Sequence, residues 1–340
     1  MGLYAAIDLH SNNSVLVILD EQDRVVYERR LPNTLGVILG ELAGYRKEVK
    51  AIAVESTYNW YWLVDGLMEE GYEVRLVNTV AVKVYDGLKS TDDEHDARHL
   101  AHLMRLGILP TGYIYPKEDR SVRDLLRKRA QLVRNRTVQI LSIQNLVSRN
   151  RGQGISRDRV RDLNQEEIQT ISGGDAFRAA AIESSRTVLK CLDEQIHVLE
   201  KKVFAEAKTK AGFENLITVD GIGKILGMTI LYETGSIDRF REVGQYASYA
   251  RCVRSERLSN GKKKGEGNRK NGNKYLSWAF VEAANFAVRY NERIRRFFQK
   301  KKAKTNGALA VKAVAHKLAR ACFYILKERT SFDVERAFSG

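Results

Sequence analysis

The sequence predicts an α/β domain at the N-terminus and a mostly α-helical remainder. Three observations carry this prediction: short apolar strands within residues 3–77, two long proline-free helical stretches after them, and a change in the sign of the charge between the two regions. A chain of 340 residues is long enough for two or three domains with real cores. No apolar run approaches the ~20 residues that a membrane-spanning helix needs, and the N-terminus does not resemble a secretory signal.

The first strands are expected to form an antiparallel meander. Apolar or alternating segments are separated by short polar breaks, which is typical of hairpin-connected strands. The predicted strands are 3–9, 13–20, 24–31, 49–55 and 73–77, and the predicted helices between them are 35–45 and 60–70. Helices that alternate with strands after a meander indicate a mixed α/β sheet. The order β-β-β-α-β-α-β-α is that of the ribonuclease H-like fold, in which the first and fourth strands are adjacent.

Four acidic residues stand where acids are costly. Asp8 interrupts the first strand, Glu55 closes the fourth, and Asp93 and Asp96 begin a helix-like run. A buried carboxylate is unfavourable unless a basic partner or a bound cation compensates its charge. Because no basic residue is interleaved in either strand, we expect a metal ion, and oxygen donors favour Mg²⁺ or Mn²⁺ over Zn²⁺. Asp92 could replace Asp93 in this set, or it could cap the helix.

A proline-containing segment, 107–116, is predicted to be a linker. Helices are expected over about 119–150 and 175–211, and the second has apolar residues at spacings of three and four. This pattern is compatible with a helical hairpin packed on itself, and equally with a coiled-coil dimer seam or a nucleic-acid-binding arm. Seven basic residues in the first helix favour phosphate contact: Arg120, Arg123, Arg127, Lys128, Arg129, Arg134 and Arg136.

The predicted domains are 1–106, a helical or coiled-coil region over 107–211, and a C-terminal domain over 212–340. The last opens with a Gly-Ile-Gly turn at 221–223. Such a turn is either half of a helix-hairpin-helix, whose amides can hold a DNA phosphate, or a structural corner between helices.

Charge divides the chain sharply. The first 100 residues carry 10 Lys and Arg against 17 Asp and Glu, a net charge of −7. Because the whole chain has a net charge of +15, the remaining 240 residues carry +22. A basic protein of this size suggests a polyanionic partner, most often nucleic acid. The three cysteines form neither a zinc spacing nor a disulfide framework, which fits a reducing cytoplasm.

Residues 251–304 hold 17 Lys and Arg against four acids, and their centre is rich in glycine and asparagine. A pliable basic loop can approach a phosphate closely, although a disordered basic loop without any chemistry would have the same composition. Ser259 lies in this loop, where a cationic field would favour an alkoxide; Ser255 is the alternative. The expected nucleic-acid-binding residues are Arg254, Arg257, Lys262, Lys263, Lys264, Arg269 and Lys270.

These motifs together resemble the DEDD transposases that include the pilin-gene invertase, a family of bridge-RNA-guided serine recombinases of insertion sequences. The matching pieces are Ile7-Asp8, Val54-Glu55-Ser56-Thr57, Asp93-Glu94-His95-Asp96-Ala97-Arg98, the turn at 221–223, Ser259-Asn260-Gly261 with Gly265, and Lys270-Asn271-Gly272-Asn273 before Leu276. Their order and spacing extend over nearly the whole chain.

The resemblance implies a RuvC-like N-terminal domain whose metal-binding acids are Asp8, Glu55, Asp93 and Asp96. It also implies a coiled-coil middle and a C-terminal transposase domain whose nucleophile is Ser259. Family members assemble as tetramers, in which the acidic domain of one subunit and the serine domain of another are thought to share an active site. In the family a noncoding RNA pairs with donor and target DNA, so the resemblance implies a guide RNA here and a prokaryotic, nucleoid-associated protein in the cytoplasm.

The expected reaction is cutting and rejoining of DNA through a phosphoserine link, assisted by Mg²⁺ or Mn²⁺. One alternative is a metal-dependent, structure-specific nuclease of the RuvC type in which water attacks. A second is a non-catalytic nucleic-acid-binding protein whose acids serve only as caps.

Overall fold

The chain divides into two compact units, Met1–Lys117 and Glu118–Gly340. The computed structural model describes residues 2–88, 93–207, 210–253, 256–260, 262–266 and 271–339; for 86–88, 93–95, 207, 256–259, 263 and 266 it describes the backbone alone. Among the helices described, none is long and apolar enough to cross a bilayer.

The first unit is built on a five-stranded mixed sheet with strand order β3-β2-β1-β4-β5. The strands are β1 Leu3–Leu9, β2 Asn13–Leu19, β3 Val25–Pro32, β4 Val49–Glu55 and β5 Val74–Val77. β1, β2 and β3 pair antiparallel, β4 is parallel to β1, and β5 is parallel to β4. The predicted meander and the predicted adjacency of the first and fourth strands are therefore both present.

Helices cover both faces of this sheet. They are α1 Leu35–Ala43, α2 Tyr61–Glu69, α3 Thr79–Val82 and α4 Asp93–Arg105, with a 3-10 helix over Lys83–Leu88. Strand residues alternate between two cores: Ile7 and Val54 belong to the core that includes Leu42 and Leu63 of α1 and α2. Ala6 and Ala53 belong to the opposite core, which is completed by Ala97, Leu100 and Ala101 of α4.

The segment predicted as a linker lies along the edge of the sheet. Thr111 forms an isolated antiparallel bridge with Val77, and the amide of Gly112 donates to the carbonyl of Leu76 at 2.7 Å. Tyr115 is buried, with 5% of its surface exposed. The segment thus belongs to the first compact unit.

In its described residues the second unit is helical except for one β-hairpin. Its helices are α5 Lys117–Arg151, α6 Arg157–Asp162, α7 Gln165–Ser172, α8 Ala176–Ala207, α9 Phe213–Leu216, α10 Lys224–Thr234, α11 Val243–Tyr249, α12 Lys274–Tyr290, α13 Glu292–Lys304, α14 Gly307–Glu328 and α15 Val334–Ala337; a 3-10 turn spans Ile237–Arg239. The hairpin strands are β6 Glu256–Ser259 and β7 Lys262–Glu266. In the core, α14 buries Val314, Leu318 and Cys322 at helical spacing against α10 and α12.

The two long helices α5 and α8 form an antiparallel hairpin. Arg129 of α5 pairs with Glu200 of α8, and Arg136 pairs with Asp193 at 2.8 Å, so that one helix ascends as the other descends. The apolar stripe of α8 faces inward, because Leu189 and Ile196 are 2% and 4% exposed. Of the alternatives that the sequence leaves open, the hairpin packed on itself is the one present within the chain.

Candidate active site

Two of the predicted acids lie at the carboxyl ends of adjacent parallel strands. Ile7 of β1 pairs with Val54 of β4, and the next residue on each strand is an acid, Asp8 and Glu55. Since side chains alternate along a strand, both acids follow Ala6 and Ala53 onto the α4 face of the sheet. Neighbouring strands lie about 4.8 Å apart, so the two carboxylates start from adjacent positions on one face.

Asp8 is almost fully buried, with 3% of its surface exposed, whereas Glu55 is half-buried. The Nε2 atom of His10 lies 3.2 Å from Oδ2 of Asp8. The carbonyl of His10 accepts hydrogen bonds from Nδ2 of Asn33 at 2.9 Å and Nδ2 of Asn59 at 3.1 Å. These bonds fix the end of β1 to the segments that follow β3 and β4. The sequence analysis singled out none of these three residues.

The other two acids belong to α4, which packs against β1 and β2. Asp96 is half-buried and precedes the buried Leu100 by four residues, which places it on the side of α4 toward the sheet. Asp93 is the first residue of α4, and its side chain lies outside the description. Asp92 lies outside the described residues altogether, so the choice between Asp92 and Asp93 stays open.

Ion pairs to the meander hold α4 in place. Nε of Arg98 donates to both carboxylate oxygens of Glu28 on β3, at 2.9 and 3.1 Å. Oδ1 of Asp23 accepts a hydrogen bond from Nε of Arg105 at 2.6 Å, and Nδ1 of His102 lies 2.9 Å from the same oxygen. Burial raises the pKa of Asp23, but the hydrogen bonds from Arg105 and His102 outweigh it, so the pKa lies below its ordinary value. Two anchors therefore fix the helix that carries the third and fourth acids.

The donor chemistry of these acids fits a hard divalent cation. Carboxylate oxygens are the ligands that Mg²⁺ and Mn²⁺ favour, and burial of Asp8 beside an acid-ended strand calls for positive charge. The structure does not draw the set together: within the described residues, no three His, Cys, Asp or Glu side chains lie close enough to hold a metal ion. Two of the four acids are thus brought to adjacent positions, the third to the same face, and the fourth is described by its backbone alone.

The serine segment, predicted as a loop, is in part a two-stranded β-hairpin. Ser259 pairs with Lys262 at the end of the hairpin, and Leu258 pairs with Lys263. Asn260 in the turn has a φ of 51°, the left-handed conformation that Asn accepts readily. An Asn-Gly pair between two strands is a strong hairpin signal, so the loop prediction is corrected over 256–260 and 262–266.

The structure describes the predicted residues of this segment to different extents. Lys262 and Lys264 are exposed on β7. The side chains of Ser259, Arg257 and Lys263 are not described. Arg254, Ser255, Arg269 and Lys270 lie outside the described residues.

The chain that follows the hairpin is tightly anchored. Gly272 has a φ of 84°, and a Cβ there would lie 2.5 Å from the carbonyl oxygen of Tyr249, so a glycine is needed. The amide of Asn273 donates to the same carbonyl at 2.6 Å. Oδ1 of Asn273 accepts from the amides of Tyr275 and Leu276, at 2.8 and 3.1 Å, and so caps α12.

Asn273 also joins a buried charge cluster around Glu233 of α10. Glu233 is 1% exposed, and its carboxylate accepts from Arg123 at 3.0 Å, from Arg127 at 2.6 and 2.9 Å, and from Nδ2 of Asn273 at 2.7 Å. Burial raises its pKa, but the bond and charge of Arg127, the charge of Arg123 and the Asn273 bond prevail and hold it below the ordinary value. We call these four residues the Glu233 cluster; it ties α5, α10 and the anchor of the serine hairpin together.

The basic residues of α5 do not form the phosphate-binding row that the sequence favoured. Arg123 and Arg127 belong to the Glu233 cluster, Arg129 and Arg136 pair with α8, and Arg120 is 5% exposed. The two that remain exposed are Lys128 and Arg134. Most of this charge compensates acids within the unit, and that expectation is corrected.

The Gly-Ile-Gly turn is a packed corner between α9 and α10. Gly221 has a φ of 89°, and a Cβ there would lie 2.3 Å from the carbonyl oxygen of Ala283 on α12. Asn291, after α12, donates to Asp220 at 2.7 Å. Close backbone packing therefore accounts for the glycine, which favours the structural alternative over a phosphate-binding turn.

Comparisons with known proteins match two separate ranges of the chain. The model DEDD_Tnp_IS110, described as a transposase, matches residues 5–150, and the model described as "Transposase IS116/IS110/IS902 family" matches residues 213–299. A "Probable family 20 transposase" of Pseudomonas aeruginosa is 23% identical over 295 residues, which cover 83% of this chain and 85% of that protein. The "Transposase for insertion sequence element IS1111A" of Coxiella burnetii is 24% identical over 295 residues, covering 84% and 77%.

The mixed α/β unit with its acid-ended strands and the helical unit after it are thus those of a transposase, a DNA-processing enzyme. Over most of its length the chain is similar to insertion-sequence transposases of the IS110/IS116 family, of the DEDD type.

Proposed function

We propose that this transposase cuts and rejoins DNA through a covalent phosphoserine link to Ser259, assisted by a divalent cation bound by Asp8, Glu55, Asp93 and Asp96. The observation that carries the proposal is the pairing of β1 with β4, which ends two adjacent strands in Asp8 and Glu55 on one face of the sheet. Asp8 is buried, and its described partner is His10. This environment supports a role in which a bound cation compensates the charge of the carboxylate.

In the proposed reaction, Oγ of Ser259 attacks the scissile phosphorus. The O–P bond to the sugar breaks as the serine ester forms; the serine hydroxyl loses a proton and the leaving sugar oxygen gains one. Because one phosphoester replaces another, resealing needs no external energy source. A bound Mg²⁺ or Mn²⁺ would polarise the phosphoryl oxygens. Lys262 pairs with Ser259 across the hairpin, and the exposed Lys264 lies two residues further along β7; both would neutralise charge on the phosphate.

The remaining cations of the segment complete this surface in the proposal. Arg254, Arg257, Lys263, Arg269 and Lys270 would hold the DNA backbone, which makes binding steeply dependent on salt. The anchoring of Asn273 to α10, α11 and α12 supports the proposal, since a nucleophile needs a fixed root.

We further propose that the sequence of the DNA is read by an element-encoded guide RNA. In this arrangement base pairing selects the site, and the protein contacts the nucleic acid by shape and charge. The acids of one subunit and the serine of another would then complete each site in a homo-oligomer, up to a tetramer. Sequencing of RNA that copurifies with the protein tests the guide: one discrete species complementary to insertion sites is expected, and a random population would contradict it.

The serine mechanism is tested by denaturing gel electrophoresis of the full chain with labelled DNA and Mg²⁺. We expect a protein–DNA adduct that survives denaturation, that is lost in Ser259→Ala and that persists in Ser277→Ala, the matched control on α12. Loss of the adduct in Ser255→Ala instead would shift the nucleophile by four residues. Full strand exchange by Ser259→Ala would refute the mechanism.

The second candidate is a metal-dependent nuclease of the RuvC type in which water attacks. It is favoured by the position of Asp8, Glu55 and Asp96 on one face of a single compact unit. The two candidates separate cleanly: a water-dependent nuclease keeps cleavage in Ser259→Ala and forms no adduct, whereas Asp8→Asn abolishes cleavage in both.

A further inference from the structure

The C-terminal part of the second unit contains a cavity of about 400 Å³ that the proposed reaction does not use. One wall is the polar side of α14, and the others are the segment 330–333 and α15. Its volume lies within the range of small-ligand sites, about 300–1,000 Å³. We call it the α14 cavity.

The charge of the lining is predominantly positive. Lys317, Arg320 and Arg336 line the cavity together with a single acid, Asp333. The Asp333 carboxylate is engaged as the cap of α15, accepting from the amides of Glu335 and Arg336 at 2.8 and 3.1 Å. Arg336 is held by Glu328 at 2.8 and 3.0 Å. Among the described residues no ion pair is assigned to Lys317 or Arg320, so these two cations are the ones available to an anion.

Lys317 and Arg320 stand one helical turn apart on α14 and repel each other. The pKa of Lys317 is lowered by burial and then by the charges of Arg320 and Lys301. Nζ of Lys317 donates to the carbonyl of Ala337 at 3.0 Å, which fixes the ammonium at the edge of the cavity. A bound anion would relieve this crowding of positive charge.

Aromatic rings line the same space. Tyr324 lies one turn beyond Arg320 on α14, and Phe332 comes from the facing segment, where its amide donates to Oγ1 of Thr218 at 2.8 Å. Phe332 also packs against the core, so its position is fixed. Cations beside aromatic rings are the combination that holds single-stranded nucleic acid, because the cations bind phosphate and the rings stack on bases.

The cavity adjoins the root of the serine hairpin. His316 lines it and hydrogen-bonds the backbone of Cys252, which precedes β6 by four residues. Burial and the charge of Arg320 lower the pKa of His316 more than this bond raises it, so the imidazole is neutral at pH 7. The cavity therefore lies beside Cys252, four residues before the hairpin in the same unit.

We propose that the α14 cavity binds one nucleotide of a single-stranded nucleic-acid segment. Arg320 and Lys317 hold its phosphate, and Tyr324 and Phe332 receive its base. The inference rests on the proposed function only in that the protein handles nucleic acid, and it adds a contact outside the acids and the serine hairpin.

The experiment measures binding of fluorescein-labelled single-stranded oligonucleotides to the full chain by anisotropy over a series of salt concentrations. Arg320→Ala is expected to weaken binding and to reduce the dependence of log K on log salt by about one. Tyr324→Leu is expected to raise Kd about 5- to 100-fold without changing that slope. Tyr324→Phe should bind as tightly as the parent chain, since it keeps the aromatic ring. Lys327→Ala, on the same helix but outside the lining, is the matched control for charge and should leave Kd within about twofold.

Two further arms complete the test. DNA and RNA oligonucleotides of one sequence are compared, and the tighter binder identifies which strand occupies the cavity. Photocrosslinking of a 4-thiothymidine or 4-thiouridine oligonucleotide should map to Tyr324 or Phe332. The inference is overturned if the crosslinks map elsewhere, if Lys327→Ala weakens binding as much as Arg320→Ala, or if Arg320→Ala and Tyr324→Leu, both folded by thermal melting, bind like the parent chain.

Failure of this inference is distinguishable from failure of the proposed function. Cavity variants that bind normally while the parent chain forms the Ser259 adduct would reject the cavity alone. A parent chain that binds neither oligonucleotide and forms no Ser259 adduct would reject both.

Discussion

Asp8 and Glu233 are both buried carboxylates in apolar elements, yet their surroundings differ completely. Glu233 is held by two arginines and an asparagine, and its pKa is lowered. Asp8, at the end of β1, has His10 as its described partner and Glu55 on the adjoining strand. A carboxylate matched by permanent cations stabilises a fold, whereas one placed beside another acid raises the local negative charge and favours a bound cation. The comparison separates a structural acid from a candidate ligand.

The largest effect is expected from Asp8→Asn. Removing one metal-binding carboxylate should lower DNA cleavage by about 10³-fold or more, because stabilisation of the reacting phosphate is lost. Stability should be unchanged or raised, since a buried charge disappears.

Cleavage of plasmid substrate and thermal melting measure the two quantities. Asp20→Asn is the matched control: Asp20 is also a buried acid of this sheet, 2% exposed, but Arg24 holds it at 2.7 Å. Its melting temperature should fall while the folded fraction keeps cleaving. If Asp8→Asn keeps full activity, the comparison fails.

The opposite result is expected from Glu233→Ala. Arg123 and Arg127 would be left without their carboxylate, so the free energy of unfolding should fall by about 3–5 kcal/mol. Urea unfolding monitored by circular dichroism gives this value. Replacing all three charges together with apolar residues should cost much less, and a triple variant as unstable as the single one would contradict the argument.

The pH dependence of stability sharpens the same contrast. Because the pKa of Glu233 in the folded protein lies below the ordinary value of 4.5, its contribution to stability is present above that value. The contribution is lost as the pH falls through the lowered pKa. Thermal melting between pH 3 and 6 should show a steeper acid-side fall for the parent chain than for Glu233→Gln, and parallel curves would be inconsistent with a lowered pKa.

A smaller effect is expected from Asn273→Ala. Loss of the α12 cap and of the bond to Glu233 should cost about 1–2 kcal/mol in urea unfolding. Asn273→Asp keeps the cap but sets a second carboxylate beside Glu233, so it should be no more stable than the alanine variant. A fully stable aspartate variant would mean that the bond to Glu233 has no energetic weight.

The smallest effect is expected from a partly exposed ion pair that includes neither Asp8 nor Glu233. A double-mutant cycle on Arg129 and Glu200, whose side chains are 14% and 24% exposed, should give a coupling of about 0.5–1 kcal/mol. The coupling should shrink with added salt. A coupling as large as that of the Glu233 cluster would erase the distinction between buried and peripheral charge.

The sequence predicted the sheet closely for a physical reason. The apolar runs of β1 and β2 and the polar breaks after them are local signals, and the predicted strands differ from the observed ones by at most one residue at each end. Asp8 and Glu55 were recognised because each stands in or ends an apolar strand. His10, Asn33 and Asn59 carry no such mark, since their role depends on contacts between distant segments.

Errors arose where the partner of a charge is far away in sequence. Arg123 and Arg127 were assigned to phosphate, but their acid, Glu233, follows more than 100 residues later. Glu233 itself interrupts the apolar run of α10 as Asp8 interrupts β1, so the same signal would have found it. The β6–β7 hairpin was taken for a loop because lysines and glycines obscured the Asn-Gly turn signal at 260–261.

The register of the α5–α8 hairpin has a consequence for engineering. Its two ion pairs stand seven residues apart on each helix, Arg129 to Arg136 and Asp193 to Glu200. Seven residues are close to two helical turns and about 10 Å of length. Deleting seven residues from both helices at once would keep the remaining pairs in register and shorten the α5–α8 hairpin by about 10 Å. The length of the α5–α8 hairpin can therefore be adjusted in seven-residue steps without altering the core that anchors the serine hairpin.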